Sequence, residues 1–311
     1  MNQTSSQYRA IFFDLDGTLL SMDTSTFMRS YFALLTRFVA SHGLDEQRFT
    51  AALFAGIEAM SNHAGRRSNA AVFWDTFFGQ IDESREVWIP LFESFYANEF
   101  DTLGKDVVAN PFAVQAIEIL QKKGYPLVLT TMPMFPLTAV EKRLGWAGIN
   151  PSVFQRITHF ENSTSVKPHL GYFLENLQAS GLVSATVNSG EVLLVGNNTE
   201  EDLACLQTNI DAYLITDLLL NPNDFDIEQV KHGSFEDFLA WVSALPPCEN
   251  PATDFNTGLV GLAAHFAALG KSEVAQILAE QGIPDIDSAA VGGPTMSMGG
   301  LAGGDLSGIG S

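Results

Sequence analysis

The chain has 311 residues, of which 46% are hydrophobic, so it is long enough to bury a sizeable core in one large domain or two modest ones. Its 36 acidic and 16 basic residues give a formal net charge of −20, which argues against general nucleic-acid binding. Because it has no apolar run of about 18 residues, no leader of charged and then apolar residues, and only two cysteines in unrelated contexts, we expect a cytoplasmic protein without a membrane span or a disulfide framework.

The first predicted element is a buried strand in the stretch RAIFFDL. Its apolar run is continuous, which is typical of a strand covered on both faces, and it ends at Asp14 and Asp16. Side chains two residues apart in an extended segment point the same way, so the two carboxylates can face one site. Gly17 then permits a sharp turn and a close approach of backbone N–H groups to an anion.

The segment 21–105 carries almost no strand signal and indicates a helical insertion. In TSTFMRSYFALLTRFVASHG, the apolar residues Phe27, Tyr31 and Leu35 recur with helical spacing on one face, and three later segments are comparable. Packing alone requires this spacing. We therefore interpret the aromatic stripes as the core of a helical bundle rather than as a ligand site.

Beyond the insertion, short apolar runs alternate with helical patterns. Asn110 can cap a helix whose first position is Pro111 and which ends before Gly124. Further strands are predicted at 125–130, 156–160, 191–196 and 212–216. Apolar strands that alternate with helices indicate a parallel sheet covered on both faces, so the predicted fold class is α/β.

The composition changes after residue 246. The segment 247–287 contains two helical patterns closed by glycine and is predicted to be a short helical extension. The segment 288–311 is rich in glycine and has little to bury, so we expect it to be disordered.

The stretch FFDLDGTLL resembles the first motif of the haloacid dehalogenase (HAD) superfamily, whose members are mostly Mg²⁺-dependent phosphohydrolases that form an aspartyl-phosphate. Stretches similar to the other motifs follow in order: LVLTTMP resembles the second motif, SVKPHLGYF the third and LLVGNNTEEDL the acidic fourth. The resemblance implies a Rossmannoid parallel-sheet core at 1–20 and 106–246, with an inserted helical cap of the C1 type at 21–105.

The resemblance also implies a role for each matched residue. Asp14 would be the nucleophile, and Asp16 would protonate the leaving group and then activate water. Thr130, with Thr131 beside it, and Lys167 would bind the phosphoryl group. The ligands implied for a Mg²⁺ cofactor are Asp14, Asp16 through its backbone carbonyl, Asn197 and Asp202.

The fourth motif departs from the family pattern at Asn197, where the family commonly has an aspartate that ligates Mg²⁺. A neutral amide oxygen can still bind this hard cation, but the site would lose one negative charge. Weaker metal binding, or an impaired catalyst, follows as an alternative.

Two arginines in the insertion are further candidates. Arg66 and Arg67, in the stretch NHAGRRSN between predicted helices, have the chemistry to bind a substrate carboxylate or phosphate. The competing interpretation is a solvated or salt-bridged pair on the surface. The sequence does not decide between the two.

Taken together, the motifs predict a phosphatase for a small phosphorylated metabolite, with neither nucleic acid nor a membrane as partner. Three alternatives stay open: a phosphomutase that uses the same groups, a non-catalytic binding protein of the same fold, and a haloacid dehalogenase. The dehalogenase is disfavoured because such enzymes need no Mg²⁺ and lack an acid at the position of Asp16. The four motifs encode neither the substrate nor the oligomeric state.

Overall fold

The computed structural model describes residues 8–63, 65, 67–182 and 190–260. Residues 247–260 form neither helix nor strand but run along the core, where the Ala252 N–H donates to the Arg9 carbonyl at 3.0 Å. The rest of the predicted helical extension and the glycine-rich segment 288–311 lie outside the described residues. Among the helices that are described, none combines the length and the hydropathy of a membrane span.

A six-stranded parallel sheet forms the centre of the molecule. Its strands are β1 (Ala10–Phe13), β2 (Leu127–Leu129), β3 (Phe154–Ile157), β4 (Val192–Gly196), β5 (Asp211–Ile215) and β6 (Lys231–Gly233). The spatial order is β3-β2-β1-β4-β5-β6, and Phe12 of β1 lies opposite Val128 on one side and Leu194 on the other. The order of the strands reverses beside β1, and ligands of open parallel sheets bind at such a point, outside the carboxyl ends of the strands.

The described residues form eight α-helices, and those of the core cover both faces of the sheet. In chain order they are α1 (Thr24–Ser41), α2 (Glu46–Asn62), α3 (Asn69–Phe78), α4 (Arg85–Ser94), α5 (Pro111–Lys122), α6 (Leu137–Trp146), α7 (Leu170–Ala179) and α8 (Phe235–Ala244). Ile11 and Phe13 of β1 belong to the apolar cluster that includes α5, α6 and α8, whereas Ala10 and Phe12 pack in the cluster with α7. This alternation confirms the predicted α/β fold class with a parallel sheet covered on both faces.

Helices α1 to α4 form the helical insertion, which we define as residues 21–105. It closes with a π-helical turn at Phe95–Glu99 and a 3-10 helix at Phe100–Gly104. Asp23 caps α1 by accepting from the Thr26 N–H at 2.7 Å. Helices α2 and α3 approach closely because Gly56 has no side chain: a Cβ there would lie 2.6 Å from the Phe73 ring.

Direct contacts hold the insertion against the sheet edge. The buried side chain of Asn69, at the start of α3, donates to the carbonyls of Pro133 at 3.0 Å and Ser165 at 3.2 Å. On the other side of the insertion, Phe100 stacks on Trp146 of α6 with ring centroids 5.2 Å apart. The insertion therefore lies over the carboxyl ends of the strands.

The element predictions differ from the structure mainly at two strands. The helix after Asn110 is confirmed, because the Asn110 side chain accepts from the Phe112 N–H at 3.0 Å and α5 begins at Pro111. Strand β3 was predicted at 156–160 but begins two residues earlier. The sequence analysis missed β6, because its three residues are partly exposed and polar and show no apolar pattern.

Candidate active site

The site begins where β1 ends. The Asp14 N–H donates to the Val195 carbonyl of β4 at 2.9 Å, and the Thr130 N–H, after β2, donates to the Phe13 carbonyl at 2.7 Å. These ladder bonds extend the sheet one residue past the strand and fix the backbone that carries the first carboxylate. Asp14 is thereby placed at the carboxyl edge of the sheet between its two neighbouring strands.

A buried lysine links two carboxylates at this edge. Lys167 Nζ lies 2.8 Å from Asp14 Oδ1 and 2.6 Å from Asp202 Oδ1, and the three residues are only 1%, 8% and 1% exposed, respectively. Burial raises the pKa of Asp14 to about 7, against the opposing charge of Lys167. Desolvation acts to lower the pKa of Lys167, but the charges of Asp14 and Asp202 outweigh it and hold that pKa well above its usual value.

The hydroxyl of Thr18 lies between the side chains of Asp14 and Asn197. Thr18 Oγ1 lies 3.1 Å from Asp14 Oδ2 and also 3.1 Å from Asn197 Oδ1. The hydroxyl carries one proton and can donate to only one of these oxygens at a time. The amide of Asn197 is fixed because its Nδ2 donates to the Leu218 carbonyl at 2.6 Å, so its oxygen faces Asp14. The Thr18 hydroxyl therefore lies within hydrogen-bond distance of both the Asp14 carboxylate and the Asn197 amide oxygen.

Asp202 holds the loop that carries Asn197. Its Oδ2 accepts from the backbone N–H groups of Asn197 and Asn198, both at 3.0 Å, while its Oδ1 accepts from Lys167. Both carboxylate oxygens are therefore engaged within the protein. Gly196 makes this arrangement possible, because a Cβ at that position would lie 2.2 Å from Asp202 Oδ2.

Gly196→Ala is expected to lower the free energy of unfolding by about 1–3 kcal/mol, because Asp202 must move and give up its loop contacts. The matched control is Gly145→Ala in α6, where nothing lies within 4 Å of the added Cβ. There, removing a helical glycine should stabilise the fold by about 0.5–1 kcal/mol. Urea unfolding of both variants measures the two effects. Equal stability of the two variants would contradict the role given to Gly196.

Asp16 has a partner that the sequence analysis missed. Its Oδ2 accepts from Arg143 Nη1 of α6, and Arg143 is 1% exposed, with its guanidinium carbon 4.5 Å from the centroid of the Phe135 ring. Asp16 Oδ1 and Arg143 Nη2 are buried, with no hydrogen-bond partner in the described part of the chain. The half-buried Asp16 and the buried Arg143 therefore each present one buried polar atom without a protein partner among the described residues.

These groups lie at one end of a cavity of about 610 Å³ between the insertion and the sheet edge. Asp14, Asp16 and Arg143 line it, together with Phe27 and Tyr31 of α1. The interpretation of the aromatic stripe as a bundle core therefore needs correction. Phe27 and Tyr31 are buried in the apolar cluster, but they also form part of the wall of a cavity that reaches the carboxylates.

A family model described as a haloacid dehalogenase-like hydrolase matches residues 8–207, well over half of the chain. The chain belongs to this family. The match ends just after the acidic motif, so it includes all four stretches at the sheet edge. The proposed resemblance to the HAD superfamily is therefore confirmed.

No curated protein matches this HAD chain significantly. Its structure is similar to one described as a predicted phosphoglycolate phosphatase from Haemophilus somnus (17% identity, TM-score 0.47, 76% of this chain and 99% of that one). It is also similar to an HAD phosphatase from Thermococcus onnurineus (17% identity, TM-score 0.46, 77% of this chain and 99% of that one). A third similar structure is an L-2-haloacid dehalogenase (16% identity, TM-score 0.45, 78% of this chain and 100% of that one). At these identities and TM-scores, none carries an activity or a substrate over to this chain.

The two threonines of the second HAD motif differ in what their hydroxyls contact. Thr130 Oγ1 lies 3.2 Å from the Phe13 carbonyl, whereas Thr131 Oγ1 is buried without a hydrogen-bond partner among the described residues. The Thr131 carbonyl accepts from the hydroxyls of Thr158 at 2.9 Å and Tyr172 at 2.8 Å. Both threonines are fully buried, and their role in phosphate binding stays a prediction.

Of the predicted arginine pair, the structure describes only Arg67 and does not place it at the cavity. Arg67 is about half exposed and pairs with Asp75 of α3 at 2.7 Å, and it is not among the residues that line the cavity. Arg66 lies outside the described residues. Arg143 is instead the arginine that lines the cavity, where it contacts Asp16.

The donor set suits the Mg²⁺ ion that the HAD family implies. Asp14 Oδ2 and Asn197 Oδ1 both lie 3.1 Å from Thr18 Oγ1, and carboxylate and amide oxygens are the kind of ligand that Mg²⁺ prefers. Within the described ranges, no group of three or more His, Cys, Asp or Glu could hold a metal, and the roles of the Asn197 amide and the Asp16 carbonyl as ligands stay predictions. Because both oxygens of Asp202 are engaged, its predicted role as a direct ligand stays a prediction.

Proposed function

We propose that this HAD hydrolase is a Mg²⁺-dependent phosphatase that cleaves phosphate monoesters through an aspartyl-phosphate on Asp14. The observation that carries the proposal is the second carboxylate. Asp16 follows the buried Asp14 by two residues, lines the same cavity, and presents Oδ1 without a protein partner in the described part of the chain. Ester hydrolysis needs such a group to move protons, whereas displacement of a halide does not.

The chemistry divides into two displacements. An Asp14 oxygen attacks phosphorus while the bond to the ester oxygen breaks, and that oxygen takes a proton from Asp16. Asp16 then removes a proton from water, whose oxygen attacks phosphorus, releasing inorganic phosphate and restoring Asp14. Lys167 holds the nucleophile in place and balances charge throughout.

Asp14, Asn197 and the Asp16 carbonyl would hold Mg²⁺ at this site. When bound, the cation neutralises charge on the phosphoryl oxygens and orients them for displacement. The buried, acidic surroundings that raise the pKa of Asp14 are consistent with a site built for an additional positive charge.

The phosphomutase alternative has less support. Of the described residues that line the cavity, Arg143 is the only cation, and it is bound to Asp16. A bisphosphorylated intermediate needs a second site for its second phosphate. The described cavity wall offers no further lysine or arginine for that site.

The test is phosphate release from a panel of monoesters, with Mg²⁺ and with EDTA, run beside halide release from a chlorinated carboxylic acid. Phosphate release that requires both Mg²⁺ and Asp14 supports the proposal. Halide release without phosphate release would replace it with a dehalogenase. Binding of a phosphonate with no turnover of any ester would replace it with a non-catalytic binding protein.

Asn197→Asp is expected to lower the half-saturating Mg²⁺ concentration, because it adds a negative charge at contact distance to the cation. The same change removes the donor to the Leu218 carbonyl, so the metal-free variant should unfold at a lower temperature than the wild type. Mg²⁺ should therefore raise the melting temperature of the variant more than that of the wild type. Asn197→Leu should lose metal dependence and activity together.

The measurements are Mg²⁺ titrations of phosphate release and of thermal unfolding. The same half-saturating concentration in wild type and Asn197→Asp, with Asn197→Leu still active, would remove Asn197 from the metal site.

A further inference from the structure

The cavity beside Asp14 is large and mainly apolar. Its volume of about 610 Å³ falls in the middle of the range of roughly 300–1,000 Å³ found for small-molecule sites. Of the 32 described residues that line it, 20 carry aromatic or other apolar side chains, and ten of these are aromatic. The cavity is continuous with the catalytic carboxylates, so any group esterified to a phosphoryl at Asp14 must extend into it.

Packing of the insertion does not explain this space. The helices α1 to α4 already pack through fully buried side chains such as Phe49, Phe77 and Trp88. Phe54, Ile57 and Trp74, in contrast, are only half-buried, and all three line the cavity. Protein interiors are normally filled, and an apolar void lowers stability in proportion to its volume. The wall therefore has unfilled apolar surface for a ligand to cover.

The charges along the wall exclude a polyanionic organic group. Glu93, Glu161 and Glu201 line the cavity, and Arg143, the only described cation there, is held by Asp16. A second phosphate or several carboxylates would meet like charge there, with no free cation among the described lining residues to balance it.

The two tyrosine hydroxyls of the aromatic wall are paired with each other. The hydroxyls of Tyr31 and Tyr96 lie 2.7 Å apart and form a hydrogen bond, in surroundings that raise the pKa of Tyr31 to about 12. The carboxylate of Glu161 is likewise bound to His159. A sugar would bury several hydroxyls against the aromatic side chains, which offer them no partners, at a cost in binding free energy.

We propose that the substrate is a phosphate monoester of an apolar alcohol, aryl or medium-length alkyl, whose organic group fills this cavity while the phosphoryl lies at Asp14. The inference rests on the proposed phosphatase function and adds to it the substrate class. The apolar group supplies the binding free energy, and the carboxylates at the end of the cavity supply the chemistry.

The test is a homologous series of ethyl, butyl, hexyl and octyl phosphates, assayed for phosphate release with Mg²⁺. The leaving alcohols have nearly the same acidity, so the series varies buried apolar surface at constant reactivity. The expected rise in kcat/KM is about 4-fold per methylene, which corresponds to the ~0.8 kcal/mol gained by burying each CH₂. Phenyl phosphate should be a good substrate, and glucose phosphate and glycerol phosphate poor ones.

A pair of variants tests the location. Ile57→Ser in the cavity wall should lower kcat/KM for octyl phosphate by about 10-fold, because a hydroxyl replaces apolar contacts, and should flatten the dependence on chain length. The matched control is Val87→Ser on α4, which is 47% exposed and does not line the cavity. It should leave the whole series unchanged.

Calorimetric titration with ethyl and octyl phosphonates, which cannot be hydrolysed, separates binding from turnover. Tighter binding of the octyl compound, together with the kinetic gradient, supports the inference. Turnover that is independent of chain length, or fastest for the sugar phosphate, would overturn the substrate class and leave the phosphatase proposal intact. A gradient in phosphonate binding without hydrolysis of any ester would overturn the phosphatase proposal and keep the apolar specificity of the cavity.

Discussion

Replacing Asp14 with asparagine is expected to lower kcat for phosphate monoesters by about 10⁴-fold or more, because an amide cannot form the acyl phosphate. The fold should survive the change. Lys167 keeps Asp202 as a partner at 2.6 Å, so its buried ammonium is not left unpaired. The variant also removes a carboxylate whose charged form is disfavoured by burial and by Asp202, so its free energy of unfolding should be at least that of the wild type.

Steady-state phosphate release and urea unfolding measure the two quantities on the same preparations. A control is Asp75→Asn, which removes a surface carboxylate that pairs with Arg67 and Arg85. Because exposed ion pairs contribute little, this variant should keep kcat within about 2-fold and stability within about 1 kcal/mol of the wild type. A folded Asp14→Asn enzyme with turnover within about tenfold of the wild type would remove Asp14 as the nucleophile.

Lys167→Met should produce the largest loss of stability, about 3–5 kcal/mol, because it leaves two buried carboxylates without their cation. Lys167 Nζ contacts both Asp14 and Asp202, and all three residues are almost fully buried. Activity should be lost as well, since Asp14 is no longer held and no lysine balances the phosphoryl charge. Chemical unfolding at pH 8 measures the loss of stability, because the carboxyl groups of the unfolded chain are fully ionised at that pH.

Lys142→Met is the matched control, because Lys142 also pairs with an aspartate, Asp101, but that partner is more than half exposed. Its removal should cost at most about 1 kcal/mol. The double variant Lys167→Met/Asp202→Asn should regain part of the lost stability without regaining activity, because only one buried charge remains. A single variant Lys167→Met as stable as the wild type would contradict an ionised Asp14–Lys167–Asp202 arrangement.

Local pattern was sufficient to predict the sheet edge. Each strand of the central part is a short apolar run, and Asp14, Thr130 and Asn197 each follow such a run, so parallel pairing alone brings them together. Lys167 was predicted only through the resemblance to a family, because a single lysine in a loop carries no signal of its own. Its 1% exposure results from tertiary packing.

Other features depend on contacts between distant parts of the chain. Arg143 is separated from Asp16 by 127 positions, and within α6 it has the spacing of an ordinary buried-face residue. The hydrogen bond from Asn197 Nδ2 to the Leu218 carbonyl connects two loops. An aspartate could not donate this bond, which gives a structural reason for the amide at position 197. Helical periodicity also cannot distinguish a side chain that fills a core from one that lines a cavity, because both face inward, and Phe27 does both.

The cavity wall and the carboxylates come from separate parts of the chain, and this separation affects how such a protein evolves. Eight of the ten aromatic residues in the wall belong to the insertion, whereas Asp14 and Lys167 follow elements of the sheet core. Mutations in α1 to α4 can therefore enlarge, narrow or polarise the chamber while the reacting groups keep their positions. Under the proposed function, a lineage carrying this architecture would exchange one alcohol for another through gradual changes in a single segment, without passing through an inactive ancestor.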